Sequence, residues 1–485
     1  MAFNKQEAFA AIDRSAELVC QVSDQVWEHP ETAFEEFDSM RIHCDALEQA
    51  GFTVERGVGN IATAFTASFG SGSPKIGLLA EYDALSGLSQ EAGVAVKTPL
   101  VEGGTGHGCG HNLLGASCLG AAIGVKEYLE KTGKSGTIVV YGCPGEEGGS
   151  GKAFMARDGV FDGLDAAISW HPGPSTKMGN YSYNANIQLY YKFHGISAHA
   201  GGSPWNGRSA LDAVSLLNTG VQYLREHVTT DVRIHYAITN TSGYSPNVVQ
   251  SYAEVLYLIR AKDVPSVQKV FERVNKIADG AALMTETRVE KDFIKACSNL
   301  VPNLTLCQLI HDNLELAGVP EFTDEDMDFA QRIIDSIPAA SRENPDDDFN
   351  RIADPELRAR LKAQWGDKPI HGFLAPVDLK GAHSGGSTDV GDVACIAPTV
   401  MFHTTTQAIG TPGHSWQHVA QNKSPLAKKG MIFACKGMAG AAIDLFENPD
   451  LLRKAKEEHA ERMNHQAYTR PIPQGVKPRG ISVKK

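Results

Sequence analysis

Apolar side chains in the first fifty residues recur at steps of three and four. Phe9, Ile12, Ala16, Val19 and Val26, with Ser23 on the same face, predict one amphipathic helix. Phe37, Met40, Cys44 and Leu47 predict a second, which Gly51 stops. Short apolar runs follow at 61–67, 76–80, 137–141 and 166–169, separated by helical segments such as 112–131. That rhythm predicts an α/β fold whose mixed sheet is covered by helices.

The texture changes at 187–293. Ile187, Leu189, Tyr191 and Phe193 alternate strictly, Ala210, Val214, Leu217, Val221 and Leu224 are helical, and Ile234, Tyr236 and Ile238 alternate again. A third strand holds Val255, Tyr257 and Ile259, a second helix Val267, Val270, Val274 and Ile277, and a fourth strand lies near Thr287, Val289 and Phe293. The order β-α-β-β-α-β predicts a ferredoxin-like unit. Helical and strand texture resumes at 304–316 and 393–400, so the unit reads as an insertion. The expected division is 1–185 and 298–485 for the larger domain and 186–297 for the inserted one. Residues 336–368, with the acidic run Asn344-Pro345-Asp346-Asp347-Asp348, show no long apolar period beyond a short helix around Pro355–Trp365 and read as a solvated excursion.

Composition narrows the function classes. A net charge of −12 opposes general attraction to nucleic acid or anionic membrane. No apolar stretch approaches the length of a spanning helix, and the opening MAFNKQEAFAAIDRSAELV lacks a secretion-signal layout, so a cytoplasmic enzyme of small molecules is expected. The nine cysteines are scattered, several in apolar periodic stretches, and read as buried small hydrophobes rather than a disulfide framework.

Chemistry-bearing residues gather where strands end. Gly106-His107-Gly108-Cys109-Gly110-His111-Asn112 sets a thiol two residues before an imidazole in a glycine-rich turn at a helix start. Cys143-Pro144-Gly145-Glu146-Glu147 follows a buried strand, and adjacent carboxylates point different ways, so one can hold a metal while the other moves a proton. His171 and His414 each follow a strand in the same manner. Singly, each is as readily a structural or surface residue. Together, one Cys, three His and two Glu at the ends of strands would converge on one sheet edge, where open α/β sheets bind ligands. Asp83 also follows a strand and suits orientation of a ligand histidine, or a plain turn. His199, Asn247 and Arg260 of the inserted unit read as exposed polar residues or as donors to an oxyanion and a carboxylate. A phosphate loop fails at Gly148-Gly149-Ser150-Gly151-Lys152, because Ala153 stands where Ser or Thr is needed; a serine-hydrolase elbow at 70–73 lacks its last glycine.

The stretches LLAEYDALSGL, GHGCGHNLLGA, GCPGEEGGSGKA, SWHPGP, FHGISAHAGGSPWNGRSALDAV, SPNVVQSYAEVLYLIR, GGSTDVGDV and PGHSWQH span nearly the whole chain. In that order they resemble the aminoacylase and glutamate-carboxypeptidase-like metallopeptidases, and within them the p-aminobenzoyl-glutamate hydrolase branch. The resemblance implies two divalent metal ions, zinc or manganese, held by Cys109, His111, Glu147, His171 and His414, with Cys109 bridging and Glu146 as general base. It implies that His199 reaches an oxyanion from the lid of a partner subunit, hence a homodimer through the inserted unit. It places Arg260 and Asn247 near a substrate carboxylate or oxyanion, and Gly386 and Ser387 in a pocket-lining loop. One departure stands out: Glu81-Tyr82-Asp83 replaces the His-x-Asp of many relatives, leaving His111 to supply the histidine. The implied activity is hydrolysis of an N-acyl or N-aroyl amino acid such as p-aminobenzoyl-glutamate. A dipeptidase on unusual dipeptides, a silent binding subunit and a requirement for a related second subunit remain open at this point.

Overall fold

The computed structural model describes residues 4–480 apart from Glu343 and Pro345, so Met1–Phe3 of the opening run and Pro345 of the acidic run lie outside the described residues. Helices α1 (Lys5–Glu28) and α2 (Phe37–Gln49) open the chain, followed by strands β1 (Thr53–Arg56), β2 (Phe65–Ser71) and β3 (Lys75–Glu81). Helix α3 (His111–Thr132), β4 (Gly136–Cys143), α4 (Gly151–Arg157) and β5 (Ala166–Gly173) come next, then β6 (Gly179–Tyr183). The inserted unit runs β7 (Ala185–His194), α5 (Ala210–Leu224), β8 (Arg233–Asn240), β9 (Tyr252–Ala261), α6 (Val264–Thr285) and β10 (Arg288–Cys297). Helices α7 (Leu304–Ala317), α8 (Asp324–Ser336), α9 (Asp347–Asn350) and α10 (Pro355–Trp365) lead to β11 (Asp378–Ser384), α11 (Val390–Ala394) and β12 (Thr399–Thr405). Helices α12 (Trp416–Gln421), α13 (Pro425–Glu447) and α14 (Pro449–Arg462) follow.

The larger sheet has the order β1-β2-β4-β3-β5-β12. Its centre is parallel and its β1-β2-β4 edge antiparallel, which makes it the mixed sheet expected. Helix α3 packs tightly between α1 and α13 because glycine lines its contact face. A β-carbon at Gly120 would lie 2.8 Å from Cys435 Sγ and 3.1 Å from Val19, and one at Gly124 would lie 2.9 Å from Ile12. The inserted unit forms a separate antiparallel sheet, β10-β7-β9-β8, with the β-α-β-β-α-β order read from its alternation. The inward residues Val255, Tyr257 and Ile259 of β9 are fully buried. Among the described residues no helix is long and apolar enough to cross a membrane.

Three readings change. The strand expected at 61–67 begins at Phe65, because Gly57 N–H donates to Ala64 O at 2.7 Å and closes 57–64 into a turn. The segment 393–400 divides into the end of α11 and the start of β12, and the polar strands β6 and β11 pair in parallel as a two-stranded ribbon that apolar periodicity does not reveal. The excursion 336–368 is solvated along α10 but not at α9. Asp348 accepts hydrogen bonds from Ser175 Oγ at 2.8 Å and Lys177 Nζ at 2.9 Å and lies 3.0 Å from His371 Nδ1. Phe349, 1% exposed, stacks on Phe373 with ring centres 5.6 Å apart. A buried acid with three partners and an aromatic plug anchor the excursion to the core.

Phe349→Ala should therefore lower the local opening free energy of 336–368 by about 3–5 kcal/mol, the usual cost of emptying a buried phenyl site. Amide hydrogen exchange checks this: protection should fall in that segment and hold in α3, and unchanged protection at 336–368 would show that the plug anchors nothing.

Candidate metal centre

The parallel strands carry their chemistry at their C-terminal ends. Glu81 closes β3 opposite Cys143 of β4, the Glu146–Glu147 turn follows β4, and His171 of β5 is in register with His403 of β12. Helix α3 starts at His111 beside them, entered through Gly110 at φ 79°. A side chain at Gly110 would meet Pro172 at 2.9 Å, so the thiol–imidazole turn can only be this tight with glycine there. His414 approaches from the loop before α12 with φ 52°, a left-handed backbone uncommon outside glycine.

These elements bring five expected donors together. Sγ of Cys109 lies 3.2 Å from His171 Nε2, and His414 Nε2 lies 3.2 Å from Glu147 Oε1. Cys109, His111 and His171 form one group of potential ligand atoms lying within 4.8 Å of one another; Cys109, Glu147 and His414 form a second. The thiol of Cys109 belongs to both. His111, Glu81 and Glu146 form a third such group. His111 Nε2 and Glu147 Oε1 are buried and make no well-aligned hydrogen bond, although Glu81 lies 3.2 Å from the first and His414 3.2 Å from the second. Buried polar atoms are seldom left unsatisfied, and a mixed sulfur, nitrogen and carboxylate set is the donor chemistry of zinc-type cations, so the residues fit two divalent ions.

Asp83 occupies the position expected of an orienting acid. Its Oδ1 lies 2.9 Å from His111 Nδ1, which leaves Nε2 facing the cluster, and its Oδ2 accepts the Glu147 N–H at 3.0 Å. Behind it Glu36 accepts the Gly145 N–H at 2.9 Å. Burial, with the neighbouring Asp83 charge, raises the Glu36 carboxyl to about 8. Removal from water raises Glu146 well above the carboxylate range, and Glu81, Asp389 and Glu147 add to it. Burial works the same way on Glu147, but His414 and His111 overcome it and hold Glu147 down at about 2.

The remaining expected residues lie elsewhere. Arg260 Nη1 donates to Ser387 Oγ at 2.9 Å, tying the inserted sheet to the loop before α11, and Gly386 O accepts the Asn184 N–H at 2.8 Å. His199 and Asn247 are exposed on the inserted unit, joined where Ala200 N–H donates to Asn247 O, and do not line the cavity beside the cluster. His199 Nδ1 accepts the Gly201 and Gly202 N–H groups at 3.1 and 2.9 Å, which leaves its proton on Nε2. Sequence reasoning missed the buried network beneath Glu146, in which Lys152 Nζ reaches Glu81 Oε1 and Asp389 Oδ1 at 2.6 Å each. Lys152 figured in the sequence only in the failed phosphate loop and, without a role, in the stretch GCPGEEGGSGKA, and Asp389 only within the stretch GGSTDVGDV. It also missed His403 and His418, which line the cavity and which burial lowers to about 3.

Residues 77–418 match the family described as Peptidase family M20/M25/M40. The chain is 48% identical over 470 residues to one of the subunits of p-aminobenzoyl-glutamate hydrolase from Escherichia coli (strain K12), covering 96% of this chain and 97% of that protein. The chain belongs to peptidase family M20/M25/M40. It is thereby a metal-dependent amidohydrolase, as the resemblance implied. Within the family it is also 27% identical over 476 residues to Xaa-Arg dipeptidase of Mus musculus, covering 94% of this chain and 91% of that one. The fold matches a dinuclear metal binding M20 peptidase from Bacillus subtilis with a TM-score of 0.55 at 18% identity, over 90% of this chain and 99% of that one.

Two outcomes test the cluster. Asp83→Asn should weaken metal affinity about 10- to 100-fold, measured by competition with a chromogenic chelator, because it disturbs the orientation of His111. Folded Glu36 retains a proton that the unfolded chain releases near 4.5, so between there and about 8 the folded state binds more protons and loses stability as pH rises. Glu36→Gln should flatten the fall in melting temperature from pH 5 to 8; an unchanged slope would contradict a protonated Glu36.

Proposed function

We propose that the chain hydrolyses the amide bond of an N-acyl or N-aroyl amino acid, with p-aminobenzoyl-glutamate as reference substrate. The observation that carries this is the sharing of Cys109 between two donor groups, one around His111 and His171 and one around Glu147 and His414, with Glu146 beside them. Cys109, His111, Glu147, His171 and His414 would hold two zinc or manganese ions. When bound, such a pair supplies Lewis-acid activation of water and of the amide carbonyl. Glu146 takes the proton of the attacking water and returns it to the leaving nitrogen; it shares a donor group with Glu81 and His111, which puts its carboxyl within reach of the cluster for that shuttle. Lys152 holds Glu81 and Asp389 in place behind it.

His199 would supply an oxyanion donor across a dimer formed by the inserted unit, taken as 186–297 between the two catalytic parts at 1–185 and 298–485. Its free Nε2 proton, its exposure and the exposed Tyr236 and Ile238 on edge strand β8 support that reading. Arg260, Asn247, Gly386 and Ser387 would then border the substrate. The Escherichia coli relative is by name one subunit of its hydrolase, which supports a related second chain as a further partner. Nine free cysteines fit a reducing, cytoplasmic setting.

Glu146→Gln should lower release of p-aminobenzoate by about 10²- to 10⁴-fold while the purified protein keeps its metal content. Unchanged turnover would remove Glu146 from the reaction. His199→Ala should be nearly inactive, yet mixing it with Glu146→Gln should return activity, since one site of a mixed dimer regains both groups. No recovery after exchange of protomers would count against donation in trans.

A further inference from the structure

The cavity beside the cluster has a volume of about 530 Å3, and no aspartate or glutamate is among the described residues that line it. In a chain with 57 acids and 45 Lys and Arg, that is a local reversal of charge. Two permanent cations stand in its wall, Lys177 just after β5 and Arg351 at the end of α9, together with Tyr181 and Tyr183 of the ribbon. The acids that balance them sit behind the wall. Asp348 is 2.9 Å from Lys177 Nζ, and Asp378 is 3.7 Å from Arg351 Nη1; both acids are buried and border a smaller pocket on the far side.

That layering decides what the cations can do. Lys177 gives one N–H to Asp348 and keeps the others. Arg351 lies over the Tyr181 ring at 5.3 Å, and among the described residues its side chain donates no hydrogen bond. The planar guanidinium, steadied from below by an aromatic face and from behind by a carboxylate, presents a fork of donors matched to another carboxylate. The metal donors Cys109, His171 and His414 line the same cavity, so a substrate whose amide lies at the cluster extends toward this pair.

We propose that Arg351 and Lys177 form a receptor for an acidic side chain on the amino-acid half of the substrate, a subsite separate from Arg260 on the inserted unit. It rests on the amide-hydrolase reading above and names the substrate class: N-aroyl or N-acyl derivatives of acidic amino acids. The excursion that carries Arg351 is then a specificity element.

The test compares p-aminobenzoyl-glutamate with p-aminobenzoyl-glutamine, equal in shape and different in charge, on the metal-loaded protein. The native enzyme should favour the glutamate compound. Arg351→Gln should lower the glutamate-to-glutamine ratio of kcat/KM about 10- to 100-fold, the worth of one charged hydrogen bond, mainly through KM. Arg351→Lys should restore part of it, and Lys177→Gln should lower the ratio in the same direction. A native ratio near one, or equal losses on both compounds, would overturn the receptor. Calorimetric binding of the two compounds separates the readings. Preferential binding of the glutamate compound that depends on Arg351, without cleavage, keeps the receptor and removes the hydrolase; no such preference removes the receptor whether or not cleavage occurs.

Discussion

One carboxylate holds the centre together. Asp83 leaves the end of β3 with one oxygen 2.9 Å from the His111 ring and the other accepting the Glu147 backbone N–H at 3.0 Å. The first contact fixes which nitrogen of His111 faces the cluster. The second fixes where the Glu146–Glu147 turn sits relative to β3, and so where the Glu146 and Glu147 carboxyls stand relative to His111. Glu36 braces the same turn from α2's N-terminal side through Gly145. The geometry of the donors is set by buried hydrogen bonds rather than by the donors themselves.

Beneath this lies a concentration of charge that only mutual pairing can sustain. Lys152 is fully buried, and its ammonium is shared between Glu81 and Asp389. A charge removed from water this completely is tolerated because each partner is close and further bonded, as where Asp389 also accepts the Lys152 N–H at 2.8 Å. The network leaves an excess of carboxylate facing Glu146. The excess opposes ionisation of Glu146 in the metal-free chain, and it equally attracts cations to the adjoining donors. The departure from His-x-Asp at Glu81 acquires a physical role here: a carboxylate at that position can serve the ammonium behind it and His111 Nε2, 3.2 Å in front.

Much of this was legible in the sequence because the donors sit at fixed places relative to apolar strands. A buried run that ends in titratable side chains marks a strand end, and Glu147 and His171 could be placed that way, whereas Cys109 and His111 were placed by their glycine-rich turn ahead of an apolar helix. The β-α-β-β-α-β unit was equally legible, since strict alternation over β7 and β9 reflects a sheet with one covered face. The ribbon was not. Strands β6 and β11 are short and polar, and they pair across a long chain separation with a register shift, so no local period announces them. The acidic run misled for a related reason: Asp348 looks solvated beside Asp346 and Asp347, and only Ser175, Lys177 and His371, all distant in sequence, bury it. Lys152 and Asp389 were hidden because a buried ion network has no sequence spacing at all.

The donors also come from both sides of the inserted unit. Cys109, His111, Glu147 and His171 precede it, whereas His414 follows β12, which pairs with β5 only after the inserted sheet has been bypassed. The register of His171 with His403 shows how β12 closes this edge and brings the loop carrying His414 into reach. His414 itself is half-exposed and held in a left-handed backbone, a conformation that surrounding contacts must impose. A cation recognising the complete set favours only the state in which both parts of the catalytic sheet are joined, so its binding free energy acts as a clasp between them. The Arg260–Ser387 hydrogen bond ties the inserted sheet to the loop before α11, in the same part of the chain that carries His414.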